Sequence, residues 1–449
     1  MIHILPFLSC LQSEVTLTVV RQLHHIILAM LAMSGRVTML GISRWSGKGG
    51  SYRTITRFFA TVLPWPSLFW IFFRTHLLCN NGVYLLAGDE TVVSKSGKQT
   101  YGLDRFFSSV MNRPVPSLAF FCLSLISVQQ RRSFPIALEQ IIRSPEERAL
   151  VQAKTQSKST KPHTKRKGGR PKGSSTKSKA DVELNPELTR IFEMLKALLT
   201  RIRSQLPLTY LLLDGHFGTN SALQMARRNG LHLISKLRAD SALFLPYDGP
   251  YSGRGAPRIY GDKLNPRNIP EQYLFASEID KEIETKKYQL RVLHKSFVEP
   301  LNVVIILKTN RENNRQSHVI LFSSDVFLAA EALIDYYCLR FQLEFNFRDA
   351  KQHWGLEDFM NVSATAVTNA ANLSLFMVNV SERVLQEFRQ EQANMSVLDL
   401  KACARASRYV DEVIKLLPKT PEMVLLERIR IKVSRIGRIH APPENTLSS

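Results

Sequence analysis

Apolar residues recur at helical spacing from Ser13 to Met33, and again in shorter runs over Val37–Ile42 and Ser51–Phe59, which predicts three helices near the start of the chain. Gly47–Gly50 would turn the chain between the second and third. Ser51 is placed to cap the third helix, where Arg53 and Arg57 share one face four residues apart. A small helical DNA-binding module has this form. So does a plain packing unit, because the loop is longer than the usual three- or four-residue turn. From Val83 the period changes. Val83–Val93, Leu118–Val128 and Phe134–Ile142 are continuous apolar runs bounded by turn residues and predict three buried strands. Pro186–Arg203 predicts a helix, Thr209–Asp214 a buried strand ending in an acid, Thr219–Asn229 a helix and Leu231–Leu237 another strand. This order implies an α/β fold, a mixed sheet with helices on its faces. Residues 240–325 form a strand-rich insertion. From Asp325 the pattern is helical through about Phe359, and again over Ser363–Phe388 and Ser396–Leu417.

The expected divisions are a helical DNA-binding region (1–80), the first part of the core (81–239), the insertion (240–325), core helices (326–390) and a helical C-terminal region with a tail (391–449). Lys154–Lys179 differs in kind. It carries ten bases, no acid and many Ser, Thr, Gly and Pro, and predicts a mobile basic loop. Within it, Arg170 and Lys172 flank Pro171 in a Gly-Arg-Pro core similar to an AT-hook, which lays Arg in the minor groove. Lys165, Arg166 and Lys167 precede it as phosphate contacts.

Composition adds a partner. With 60 Lys+Arg against 38 Asp+Glu, the formal net charge is +22, and a positive excess of this size points to nucleic acid. The five cysteines are scattered and odd in number, which excludes a disulfide scaffold or Cys-based zinc site and fits a reducing cytosol. No apolar run is long enough for a membrane-spanning helix, so no membrane partner is expected.

Three acids stand out. Asp89 follows one apolar strand and Asp214 another, and a carboxylate at a strand exit lies at a sheet rim, where a site can form. The third is Glu344. Tyr337, Arg340, Glu344 and Lys351 fall at about 0°, 300°, 340° and 320° around one predicted helix, a sector about 60° wide, with Arg348 close by. Taken alone, Arg340–Glu344 and Glu344–Arg348 are equally well read as i,i+4 ion pairs on a solvated face. His163, His216 and His353 have no paired ligand spacing and read as surface or helix-end residues.

The spacing Tyr337-x2-Arg340-x3-Glu344-x6-Lys351 resembles the Tyr-Arg-Glu-Lys signature of bacterial insertion-sequence DDE transposases. Asp89-Glu90-Thr91 resembles the motif after the first core strand in that family, and Asp214 its second acid. The 130 residues from Asp214 to Glu344 leave room for a β-strand insertion. The resemblance implies an RNase H-like core in which Asp89, Asp214 and Glu344 hold two Mg²⁺, with Mn²⁺ able to substitute. It assigns Tyr337, Arg340 and Lys351, with Arg348 nearby, to gripping transposon ends. Water would open the strand at a terminal inverted repeat, and the freed 3′-OH would attack target DNA. A homodimer on paired ends and a bacterial cytoplasm, beside the nucleoid, follow by the same resemblance. Family members can stack a turned-out base on a Trp of the insertion. Here the four Trp are 45, 65, 70 and 354, so the insertion offers Tyr260, Tyr273 or Tyr288 instead. A catalytically inactive DNA-binding relative and an RNase H-like structure-specific nuclease are the alternative readings.

Overall fold

Short polar side chains start most of the helices, as capping chemistry requires. In the computed structural model, Thr16 caps α1 (Leu17–Ala32), Thr38 caps α2 (Met39–Ser46) and Ser51 caps α3 (Tyr52–Ala60), each hydroxyl accepting a backbone N–H three residues on. The structure describes residues 3–47, 49–108, 111–149, 153, 178–251, 253 and 255–440. The basic residues Lys165, Arg166, Lys167, Arg170 and Lys172, His163 and the tail 441–449 lie outside them.

After α4 (Trp65–His76) the chain enters a 12-stranded mixed sheet. β1 (Tyr84–Ser94), β2 (Asp104–Ser108), β3 (Arg113–Ser127) and β4 (Arg132–Ile141) form its antiparallel side. α5 (Pro186–Ile202) leads to β5 (Tyr210–Leu212), and α6 (Asn220–Arg228) to β6 (His232–Leu237). β5 pairs parallel with both β1 and β6. The mixed α/β architecture with flanking helices is consistent with the expected RNase H-like fold.

The strand-rich stretch prolongs the sheet. β12 (Gln316–Ser323) pairs with β6, then β11 (Leu301–Asn310), β10 (Ile283–His294), β7 (Leu243–Pro246) and β8 (Tyr260–Lys263) follow outward, with β9 (Leu274–Asp280) on β10. The apolar run of β11 and the last four residues of β12 are buried in the same core as β6, so burial drives the merger.

The helix expected from Asp325 to Phe359 is two helices. α7 (Ala330–Leu339) and α8 (Gln342–His353) are separated at Arg340–Phe341. Both linking residues keep right-handed φ and ψ, but the hydrogen bonds tighten to three-residue spacing: Arg340 N–H to Tyr337 O, Phe341 N–H to Cys338 O and Glu344 N–H to Phe341 O. A tightened turn of this kind re-phases every side chain beyond it.

The long helix α9 (Ala364–Glu391) runs through the core. Its Asn369 accepts from Trp65 Nε1 at 2.7 Å and donates to the Phe59 and Thr61 carbonyls, which fastens the N-terminal helices to the core. A second fastening lies after α8. Gly355 has φ +80°, and a Cβ there would stand 2.4 Å from Val37 Cβ, while the Val37 N–H donates to Asp358 at 3.0 Å. No single helix among the described residues is long and apolar enough to cross a membrane.

α10 (Val397–Lys415) and α11 (Met423–Ser434) end the described chain. The Asp399 carboxylate is fully buried and accepts from Ser396 and from the backbone of Ile439 and His440, with His440 Nδ1 at 2.9 Å. Burial alone would raise this carboxyl, but the hydrogen bonds from Ser396 and His440 hold it far below the usual range. Its contribution is therefore present above the unfolded value of about 3.9 and is lost as pH falls through the folded value. Asp399→Asn is expected to cost about 3 kcal/mol in urea unfolding at neutral pH, because an amide cannot accept from every donor now met.

Candidate active site

The register of two parallel strands brings the first two acids together. Ala87 of β1 pairs with Leu212 of β5, so Asp89 and Asp214, each two residues further on, are neighbours. Asp214 lies past the end of β5, but Asp89 is inside β1 and not at a strand exit as expected, because β1 continues to Ser94 in its pairing with β3. Gly88, just before Asp89, has no room for a side chain: a Cβ would meet Phe121 at 2.7 Å and Leu213 at 3.1 Å. Asp214 closes the next turn, its Oδ1 accepting the His216 N–H at 3.1 Å, while Ser235 Oγ donates to its carbonyl. Both acids line one cavity of about 630 Å³.

Glu344 reaches this pair from α8 through a third group. Arg340, at the tightened turn, donates from Nη1 to Asp89 Oδ2 at 2.7 Å, and its Nη2 stands 3.8 Å from Glu344 Oε1. The Arg340 Nε–H is buried with no hydrogen-bond partner among the described residues. Tyr337 lies beside the same guanidinium, 5.9 Å from ring centroid to Cζ. Burial pushes the Asp89 carboxyl up; Arg340 opposes this, and the Asp214 and Glu344 charges reinforce it. The three acids thus feel one another. Yet among the described residues no three carboxylate, imidazole or thiol groups form a ready-made metal cage. In chemical kind the donors fit a hard divalent cation, which prefers carboxylate oxygen. In this arrangement a guanidinium holds the place between two of them.

The remaining signature residues divide. Lys351 does not project into solvent: its Nζ donates to the Val92 carbonyl at 2.9 Å and stands 3.6 Å from Glu357. Arg348, expected near the same face, sits instead over the Phe345 ring and lines a separate cavity with Arg131 and Glu382. None of Tyr260, Tyr273 and Tyr288 lines the cavity at Asp89; Tyr288 is buried and Tyr260 packs on Phe244.

His216, expected as a surface or helix-end residue, has a place here. It lines the cavity with Asp89 and Asp214, and its Nε2 lies 3.2 Å from both Glu187 carboxylate oxygens. The hydrogen bond to Glu187 raises the imidazole, burial opposing it. Glu187 comes from the first turn of α5, and no motif announces it. The available signal was the adjacency of His216 to Asp214.

The model of the family described as DDE superfamily endonuclease matches residues 6–293, close to two thirds of the chain. The matched span contains Asp89 and Asp214 and ends before Glu344. No curated protein matches the chain.

Proposed function

This chain belongs to the DDE superfamily endonuclease family, and from that premise we propose that it is an insertion-sequence transposase whose Asp89, Asp214 and Glu344 hold the catalytic metal ions. Membership carries a nuclease- or transposase-type activity with DNA as substrate; the element, the metal ligands and the strand-transfer step are the proposal. One observation supports it most: the β1–β5 register sets Asp89 beside Asp214, and Arg340, 251 residues along the chain from Asp89, links it to Glu344.

Two divalent ions, when bound, activate a water or a 3′-OH and stabilise the leaving oxyanion. The chain supplies the rest. Three carboxylates furnish hard oxygen ligands and concentrate negative charge that a divalent cation relieves. Arg340, whose Nε–H lacks a partner, is suited to a backbone phosphate once it leaves Asp89. Tyr337 flanks it and limits where the guanidinium can swing. Phosphate binding by Lys351 requires that it release the Val92 carbonyl.

The proposal predicts that a duplex bearing the element's terminal inverted repeat is nicked at the repeat end in Mg²⁺ or Mn²⁺, and that EDTA stops the reaction. Nicking would be read on a sequencing gel with an end-labelled strand. Faster cleavage of branched DNA than of the repeat would instead favour a structure-specific nuclease. DNA binding without nicking in either metal would leave a binding protein, a reading that the Arg340–Asp89 contact favours.

A further inference from the structure

A larger cleft, about 1250 Å³, begins at Glu90 beside the carboxylates and follows the outer half of β1 to the loop after α8. Its charged groups fall into two sets. Lys95 Nζ is occupied by the Glu357 and Phe359 carbonyls, at 3.1 and 2.9 Å, and sits over the Phe359 ring. Lys351 is held at Val92 and faces Glu357, and Asp358 accepts the Val37 N–H. These groups satisfy one another. Arg36 and Lys98 do not belong to that set: both are exposed, and neither has an acidic partner within salt-bridge distance among the described residues.

Apolar surface lies between them. Phe107 is 57% exposed, Met111 54%, Met360 68% and Val362 54%, all lining this one cleft. A soluble protein gains nothing by presenting a ring and two thioethers to water in one concavity unless something covers them. Unpaired nucleic acid is the occupant whose chemistry matches both sets. Its bases stack on ring and thioether surface while its phosphates meet the unpaired cations. Duplex DNA keeps its bases inside and leaves such surface uncovered. The smaller cavity on the other side of Asp89 has the opposite character. Glu90, Glu139, Glu147 and Glu187 join the two Asp there against Arg143 and Arg190, so without bound cations its side chains hold no phosphate chain of their own accord.

We infer that the cleft along β1 binds a single-stranded segment of DNA next to the scissile bond, with Phe107 and Met360 as the stacking surface and Arg36 and Lys98 as phosphate contacts. The inference rests on the DNA-cleaving reading above and gives it a direction: the unpaired strand leaves the carboxylates toward the N-terminal helices. The Val37–Asp358 bond and the close packing of Gly355 fix Arg36 at the far end of that path.

The test is binding of a fluorescein-labelled oligothymidine of about 12 nucleotides, followed by anisotropy in EDTA so that cleavage plays no part. Phe107→Ala with Met360→Ala should weaken it roughly tenfold and leave duplex affinity unchanged. Arg36→Gln with Lys98→Gln should flatten the slope of log K against log salt by about 1.4, or about 0.7 per lost contact. A strand carrying 5-iodouracil should photocrosslink at Phe107 or Met360. Both side chains are exposed, so their truncation leaves the core intact. Oligothymidine binding that the Phe107 and Met360 changes leave untouched, with crosslinks elsewhere, overturns the inference even where Mg²⁺-dependent nicking is intact. Absent nicking with cleft-dependent binding would overturn the cleavage reading and leave the cleft standing.

Discussion

Glu344→Gln is expected to reduce Mg²⁺-dependent nicking of a terminal-repeat duplex at least about a thousandfold, which is about 4 kcal/mol of barrier, while DNA affinity stays within about twofold. The substitution keeps size and hydrogen-bonding reach and removes only the charge. The Glu344 side chain is 46% exposed, and its contact to Arg340 is 3.8 Å long, so losing that ion pair costs little folding energy, at most about 1 kcal/mol. Any large effect must therefore come from the chemistry. An amide oxygen is a poorer ligand for a hard divalent cation than a carboxylate, and it cannot offset the charge that develops on the leaving oxygen. Single-turnover rates on an end-labelled strand, together with a thermal melt, separate the two contributions. A variant that nicks at the wild-type rate would remove Glu344 from the site. It would leave open only a site built on Asp89 and Asp214, both of which lie inside the matched family span.

The strands around those two acids were legible because each is an apolar run closed by turn residues, as in Val83–Val93 and Thr209–Asp214. That the two strands lie side by side and parallel is a property of the sheet, and periodicity carries no record of a strand's partner. The same reason hid the merger of β12 with β6. Local signals failed where there were none to read. β2 is five residues long and only Phe106 of it is buried, and β8 has no buried residue in four. α11 carries apolar residues that do not converge on one face; Leu426 is its buried residue. The tightened turn at Arg340–Phe341 has neither Gly nor Pro to mark it, so a 100° step carried across it mis-phases Tyr337 and Arg340 against the residues of α8. Arg340 and Glu344 bracket the break and still approach to 3.8 Å. The cleft along β1 could not be seen in advance, because Arg36, Lys98, Phe107 and Met360 come from four separate segments.

Arg340→Gln should tighten Mn²⁺ binding to the DNA-free protein by roughly 10- to 100-fold, and nevertheless slow cleavage. The two effects have one origin. Asp89 is a largely buried carboxylate whose affinity for a proton is raised by burial and by its two acidic neighbours, and Arg340 Nη1 supplies the opposing charge at 2.7 Å. A metal ion approaching Asp89 must break that charge-assisted bond, worth about 1.5–3 kcal/mol, before it gains its own ligand, and it must do so against the guanidinium's repulsion. Removing the guanidinium lifts both penalties, and the affinity gain is that energy expressed as a ratio. Calorimetric titration with Mn²⁺ in the absence of DNA measures it. Cleavage falls in the same variant because Arg340, displaced by the metal in the wild type, no longer offers its unpartnered Nε–H to a phosphate. In the wild type, DNA and metal should therefore each favour the other's binding, since both draw Arg340 away from Asp89, and Arg340→Gln should abolish that coupling. Weaker Mn²⁺ binding by the variant would reverse the argument: Arg340 would then be the strut that holds Asp89 and Glu344 in place for the ions, and metal and phosphate would load independently.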